Sequence, residues 1–458
     1  MKKTEAFVIG FGKGGKTLAG ALAAAGKTVV LAEKSEKMYG GTCINIACIP
    51  TKSLVHSAAL SAAQGGVFEE KAVRYAAAIE EKDRVVALLR GKNYHKLDDH
   101  PLITVVTGTA SFLDPHHVAV VNGGQRQEWE ADQIFINTGA RPFIPPIPGL
   151  KDSRRTYVSE SLLDLRELPR RLAVIGGGYI GMEFASLYAN FGSQVTVVQD
   201  GPDFLPREDA EVAGAVRKSL QDRGIRVILS ADVQRIEDRM EESTLVLRTA
   251  EGEEPLPADA VLVATGRRPN VEGLNLEAAG VELTSRGAVK TDERLRTGVP
   301  HIWAMGDVVG GQQFTYISLD DFRIVKSAVL GDGSRTTNNR GTVPYSVFLD
   351  PACSRAGLTE QEAREQGYAV KIARLPVAAI PKAQLMRKPA GLLKAVIDKK
   401  TDRILGAHLF CEESYEMINT VKLAMDADLP YTVLRDSIYT HPTMSEAFND
   451  LFASLTEG

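Results

Sequence analysis

Only four cysteines occur in 458 residues. That is too few for a disulfide scaffold, and a reducing cytosol keeps ordinary thiols reduced, so any disulfide in this chain is expected to be catalytic. Uninterrupted apolar runs of about 18 residues are also lacking, so no membrane span is expected. Charge of one sign is not in excess: 54 Lys and Arg stand against 58 Asp and Glu, a formal net charge of -4. Neither a basic face for nucleic acid nor a polybasic stretch for a membrane is present, which leaves small soluble molecules as the expected partners. Met1-Lys2-Lys3 and the apolar residues behind it imitate an export signal, but Lys13, Lys16 and the glycines from Gly10 to Gly15 break the run. A cytoplasmic location is expected. With 44% apolar residues the chain can bury a large core, and its length suggests about three domains.

What is present is one design written twice. Ala6-Phe7-Val8-Ile9 leads into Gly10-Phe11-Gly12-Lys13-Gly14-Gly15, then an alanine-rich helical stretch, then Thr28-Val29-Val30-Leu31-Ala32-Glu33. Leu172-Ala173-Val174-Ile175 leads into Gly176-Gly177-Gly178-Tyr179-Ile180-Gly181, then a helix, then Val195-Thr196-Val197-Val198-Gln199. Each apolar run is too short for a helix and reads as a buried parallel strand. Gly10, Gly12 and Gly15 in the first turn, and Gly176, Gly178 and Gly181 in the second, let the backbone approach a pyrophosphate at a helix N-terminus. Past the third glycine each half reaches the position that meets an adenosine ribose, Glu33 and Gln199. Two dinucleotides are implied. Thr138-Gly139-Ala140-Arg141-Pro142 and Thr265-Gly266-Arg267-Arg268-Pro269 each follow an apolar strand and read as exits from the two nucleotide domains. From about Arg340 the pattern changes to short strands, such as Leu392 to Ile397, with one helical stretch near Glu416 to Met425. That is an α+β domain.

The most informative stretch is Gly40-Gly41-Thr42-Cys43-Ile44-Asn45-Ile46-Ala47-Cys48-Ile49-Pro50-Thr51-Lys52. A regular helix would separate the two cysteine α-carbons by a rise of roughly 7.5 Å, so a disulfide here needs a distorted helical turn. Two inert buried cysteines remain an alternative. An iron-sulfur cluster does not, because Cys353 and Cys411 are isolated from this pair.

These motifs, GGTCINIACIPTK, GGGYIGME, IWAMGDV and THPTMSE in that order, resemble the two-dinucleotide flavoprotein disulfide reductases, which include glutathione reductase, lipoamide dehydrogenase and mercuric reductase. The resemblance covers the whole chain and implies an α/β fold: two Rossmann-type dinucleotide-binding domains, for FAD and NAD(P), plus a C-terminal α+β dimerisation domain. The expected boundaries are 1–150 for the first part of the FAD domain, 151–265 for NAD(P), 266–339 for its central continuation and 340–458 for dimerisation. FAD is then expected at Gly10, Gly12, Gly15, Glu33, Thr42, Lys52, Thr138, Gly139 and Asp307. The nicotinamide cofactor is expected at Gly176, Gly178, Tyr179, Ile180, Gly181, Gln199 and Gly266. By the same resemblance Cys43 is the interchange thiol and Cys48 the flavin-side thiol. Lys52 and Glu183 match an ion pair near flavin N5, although taken alone they read as solvated charges. Tyr179 matches a gate over the nicotinamide. His441, oriented by Glu446, matches a base supplied across a homodimer interface. Such a base suits disulfide exchange, which needs a thiolate attacker and an acid for the leaving sulfur. His408 reads as core, and His116 with His117 as a turn.

Within the family, mercuric reductase is not expected, because residues 451–458 lack its cysteine pair and a metal-binding domain ahead of Met1 is not expected; lipoamide dehydrogenase is weakened by Tyr439, which stands where that enzyme often has a second histidine. Residues 313–321, 344–348 and 375–381 look like the bacterial reactive-chlorine-resistance flavoproteins. That branch is associated with reducing hypothiocyanous acid and copper(II), so a small-molecule oxidant or disulfide is the expected substrate. Lipoamide dehydrogenase, another low-molecular-weight disulfide reductase, or a flavin sensor that does not turn over are the alternatives. NADH is expected over NADPH, because no arginine follows Gln199 to grip a 2′-phosphate and Asp200 would repel one. No resident metal is expected.

Overall fold

The computed structural model describes residues 1–457. It divides into two compact units. The first comprises Met1–Ser53, Ala78–Phe143 and Gly266–Arg340; the second comprises Leu54–Ala77, Ile144–Thr265 and Gly341 onward.

In the first unit the strand Lys2–Ile9 lies between Val29–Glu33 and Gln125–Ile136, all parallel, with Ile103–Thr107 beyond on one side and Ile302–Ala304 on the other. Ala6, Phe7, Val8 and Ile9 are all buried, as a parallel strand covered on both faces requires. Phe7 and Ile9 face one core and Ala6 and Val8 another, so the alternation of the strand sorts its side chains between two layers. Helix Lys13–Ala24 covers the second of these layers with Leu18, Ala19, Leu22 and Ala23. His117 departs from the expected turn. It opens the strand His117–Asn122, while Asp114, which accepts from the backbone N–H of both His116 and His117, makes the bend before it.

The second unit holds a five-stranded parallel sheet in the order 226–228, 194–198, 171–175, 260–263 and 156–158. It also holds a three-stranded antiparallel sheet, 232–238, 243–249 and 252–258, and a larger antiparallel sheet whose central strands are Leu392–Asp398 and Ile404–Phe410. The single helical stretch expected near its end is Ser414–Asp426. Four shorter helices accompany it, Glu360–Glu365, Pro381–Leu385, Tyr431–Asp436 and Ala447–Ala453. Helices of five to seven residues carry too little periodicity to read from sequence, and of these four only Glu360–Glu365 has a side-chain cap. Thr359 and Glu362 exchange side-chain and backbone hydrogen bonds as that cap.

Two deeply buried polar groups of this unit are handled differently. Lys394, 2% exposed, meets Asp209, Glu211 and Glu360 at 2.9, 2.6 and 2.8 Å. His408, fully buried in the strand Ile404–Phe410, hydrogen-bonds through Nε2 to the Leu358 carbonyl, and burial pushes its pKa down from 6.5 to about 4. The unfolded chain therefore takes up a proton below about pH 6.5 that the folded chain refuses until about pH 4. Through His408 the fold loses stability as pH falls across that window, by on the order of 3 kcal/mol at its full extent. Urea midpoints at pH 7.5 and pH 5 should differ less in His408→Leu than in the wild type; an equal difference would remove His408 as the cause.

Candidate active site

The two glycine turns are built alike. Gly10 and Gly176 have φ of +106° and +105°, and a β-carbon on either would sit 2.3 Å from the Asn137 carbonyl or 2.5 Å from that of Ala264. No other residue fits such a position. At the end of each inner strand the acidic or amide side chain turns back on the loop: Glu33 Oε2 accepts from Phe11 N at 3.0 Å, and Gln199 Oε1 accepts from Gly177 N at 2.7 Å. Burial raises the Glu33 pKa, against the pull of backbone N–H groups at Phe11, Lys34 and Ser35. Gly178 and Gly266 differ from Gly10, since a β-carbon there would meet nothing within 4 Å. Gly178 caps the helix Tyr179–Phe191, which carries Tyr179, Ile180 and Gly181 in its first turn.

Three buried side chains that sequence reasoning missed hold the first turn in shape. Asn137 accepts from Gly15 N at 2.8 Å and donates to the Met305 carbonyl at 2.7 Å. Ser318 accepts from Gly14 N at 3.1 Å, and Asp321 accepts from Gly306 N at 2.7 Å. Asp321 is itself paired with Arg340. Asp307 follows in the turn Gly306–Val309; burial raises its pKa while Arg267 pulls it down. Thr138 and Gly139 are tied to Asn270, which accepts from Thr138 Oγ1 at 2.7 Å and donates to the Gly139 carbonyl at 2.9 Å.

The cysteines sit on a broken helix. A short turn, Thr42–Asn45, ends at Ile46, whose φ of -141° is not helical, and a new helix starts at Cys48. The break brings the Cys43 and Cys48 thiols into hydrogen-bond contact, which a continuous helix would prevent. Asn45 fixes the break by donating to the carbonyls of Tyr39 and Gly41, and Arg90 Nε donates to Asn45 Oδ1 at 2.7 Å. Cys48 Sγ also lies 3.4 Å from Thr315 Oγ1, at the start of helix Thr315–Leu330. The hydrogen bond to Cys48 and burial hold the Cys43 thiol up, while Thr315 and Lys16 favour its thiolate. Cys353 and Cys411 are buried, and burial raises both thiols, as inert core residues require.

Lys52 is carried by helix Cys48–Gln64 within the first unit, and Glu183 by helix Tyr179–Phe191 in the second. Glu183 is not a solvated charge: it is buried, and its Oε1 accepts from Phe348 N at 2.9 Å. In the same unit Tyr179 donates to Glu208 Oε1 at 2.5 Å, and Tyr345 donates to the same oxygen at 2.6 Å. His441 is exposed and its Nδ1 stands 2.9 Å from Glu446 Oε2, the orientation that leaves Nε2 outward.

The Pyridine nucleotide-disulphide oxidoreductase model matches residues 4–328, and that family's dimerisation domain matches residues 343–452. The chain belongs to this family. It is similar to the Escherichia coli (strain K12) protein described as "Probable pyridine nucleotide-disulfide oxidoreductase RclA", with 50% identity over 99% of both chains. It is 35% identical to the dihydrolipoyl dehydrogenase of Geobacillus stearothermophilus, covering 97% of this chain and 94% of that one. Among solved structures, the Cu(II) complex of HOCl-induced flavoprotein disulfide reductase RclA from Escherichia coli matches with a TM-score of 0.93, 50% identity and 99% coverage of each chain. The protein is therefore a flavoprotein disulfide oxidoreductase, FAD-dependent with NAD(P)H as donor, built of two Rossmann-type domains and a dimerisation domain. The residues present fit FAD: the first turn leaves no room for side chains between its backbone and Asn137, and the loop that leads to the thiols packs against that turn at Gly41. A β-carbon on Gly41, φ +83°, would stand 2.6 Å from the α-carbon of Gly12. Among the described residues no helix is long and apolar enough to cross a membrane, and no group of three or more His, Cys, Asp or Glu gathers as a metal site.

That contact predicts the outcome of Gly41→Ala. Backbone must move against backbone, so purified protein should carry less than about half its flavin per chain, read as the ratio of absorbance at 450 nm to that at 280 nm. Full flavin content with normal turnover would show that the close approach is dispensable.

Proposed function

We propose that the protein is an NADH-consuming reductase of hypothiocyanous acid or a related oxidised sulfur species, acting in defence against reactive chlorine stress. The observation that carries this reading is the Cys43 and Cys48 pair, hydrogen-bonded across a helix break, in a chain half identical over its full length to a flavoprotein described as HOCl-induced. Cys43 thiolate attacks the sulfur of HOSCN. A Cys43 S–S bond forms, the S–O bond breaks, and the oxygen leaves with the electron pair and a proton as water. Cys48 then attacks Cys43 sulfur, closes the disulfide and expels thiocyanate. FAD supplies the two-electron relay that returns the pair to thiols at the expense of NADH.

The remaining residues have positioning work. His441, oriented by Glu446, is assigned as the acid for the leaving group, donated by the partner subunit of a homodimer; a dimerisation domain supports this assignment. Thr315 bears on Cys48, Tyr179 is assigned to cover the nicotinamide, and Lys52 with Glu183 to the flavin ion pair that stabilises its reduced form. Asp307 is assigned to the ribityl chain. The domain boundaries given above, and a cytoplasmic site of action, belong to the same proposal. NADH is favoured over NADPH: Gln199 Nε2 donates to Asp200 at 3.1 Å, and a carboxylate beside the ribose position supports this reading because it would repel a 2′-phosphate.

The test is the initial rate of NADH oxidation with hypothiocyanous acid, beside lipoamide, glutathione disulfide and copper(II), for wild type and Cys43→Ser. Fast turnover on hypothiocyanous acid, falling roughly a thousandfold or more in the variant, is expected. Turnover on lipoamide or glutathione disulfide instead would keep the thiol mechanism and discard the substrate, whereas full activity in Cys43→Ser would discard the mechanism.

A further inference from the structure

Among the described residues the two buried lysines have carboxylates beside them. Lys394 meets three, and Lys82 lies 2.7 Å from Asp83. Lys16 is different. It projects from helix Lys13–Ala24, is half-buried, and spends two of its three N–H bonds on uncharged partners: the Gly40 carbonyl at 3.0 Å and Asn93 Oδ1 at 2.6 Å. Asn93 is held in place by its own bond to the Leu89 carbonyl at 2.7 Å. Gly40 precedes Cys43 by three residues, so the ammonium is anchored on the loop that carries the attacking sulfur. Burial lowers the Lys16 pKa to about 8, Lys13 and Lys96 push it the same way, and Cys43 pulls it back. Lys13 and Lys96 thus bear on Lys16, and Lys16 in turn bears on Cys43.

Removing a cation from water without a counter-ion is costly, and proteins keep such a charge where an anion arrives to meet it. We propose that Lys16, flanked by Lys13 and Lys96, forms an anion subsite beside Cys43, and that the thiol pair is built for small substrates bearing negative charge next to the reactive centre. The reading rests on Cys43 being the attacking thiol. Lys16 enters no bond and carries no electron. It holds the negative charge of the incoming reagent and of the group that leaves with the electron pair, as a preorganised cation does in a water-poor site.

The test compares alkylation of the NADH-reduced holoenzyme by iodoacetate, an anion, and by iodoacetamide, its neutral counterpart. Both transfer a CH2 group to thiolate sulfur with loss of iodide, so their rate ratio cancels any change in thiolate fraction. In the wild type iodoacetate should be favoured relative to a free thiol. The ratio should fall about tenfold in Lys16→Met, return in Lys16→Arg, and shrink at 0.5 M salt. Lys16→Gln, which keeps a hydrogen bond to Asn93, serves if Lys16→Met loses flavin, and should show the same fall. An unchanged ratio in the neutral variants overturns the subsite. Failure of the parent reading looks different: mass spectrometry would then find the label on a cysteine other than Cys43 in the wild type itself.

Discussion

Backbone meets backbone where Gly41 crosses Gly12, and the rest of the site depends on that contact. A side chain on Gly41 would hold the cysteine loop away from the dinucleotide turn, because its β-carbon would overlap the α-carbon of Gly12, while a β-carbon on Gly12 would strike the Asn137 side chain. With both positions bare, the turn that receives a pyrophosphate and the segment that bears the thiols become neighbours. Lys16, one helical turn beyond Gly12, then reaches the Gly40 carbonyl, and Thr315 reaches Cys48. Electron relay over a short distance needs this closeness, and the bare Gly41 is what permits it.

The helix break is the second constraint. Asn45, the last residue before the break, holds the short turn in place by donating its side-chain amide to the carbonyls of Tyr39 and Gly41 ahead of it. Arg90 in turn holds the Asn45 side-chain oxygen. A polar side chain between two reactive thiols is thus part of the framework. In the second unit the same logic of satisfied polar groups appears around Glu208, which takes hydrogen bonds from Tyr179 and Tyr345 on one oxygen, and around Lys394 with its three carboxylates.

Glycine spacing, the cysteine pair and the THPTMSE segment were legible in the sequence because each is local: the residues that act together lie within a few positions of each other. The repeated strand, turn and helix pattern was legible for the same reason, since a period of two or of 3.6 is written in consecutive residues. The shell behind them was not. Gln313 to Asp321 stood out as a distinctive segment without a role, yet Thr315, Ser318 and Asp321 turn out to bear on Cys48, Gly14 and Gly306. Cys48 and Thr315 are 267 positions apart, and Gly14 and Ser318 are 304 apart, so no spacing rule connects them. Asn137 sits one residue before a motif that was noticed, but its work on Gly15 and Met305 depends on the path of three separate segments.

By itself the sequence determined which chemistry this chain carries: two dinucleotide turns, one exchangeable thiol pair and a histidine with its orienting glutamate, all set by residue type at short range. Only the tertiary structure decided how that chemistry is poised. Burial, the broken helix and the charges gathered from distant segments fix what the thiol pair meets, what Glu33 and Gln199 bond to, and why Lys16 stands on uncharged partners, because electrostatics and desolvation depend on distances that the order of residues does not contain.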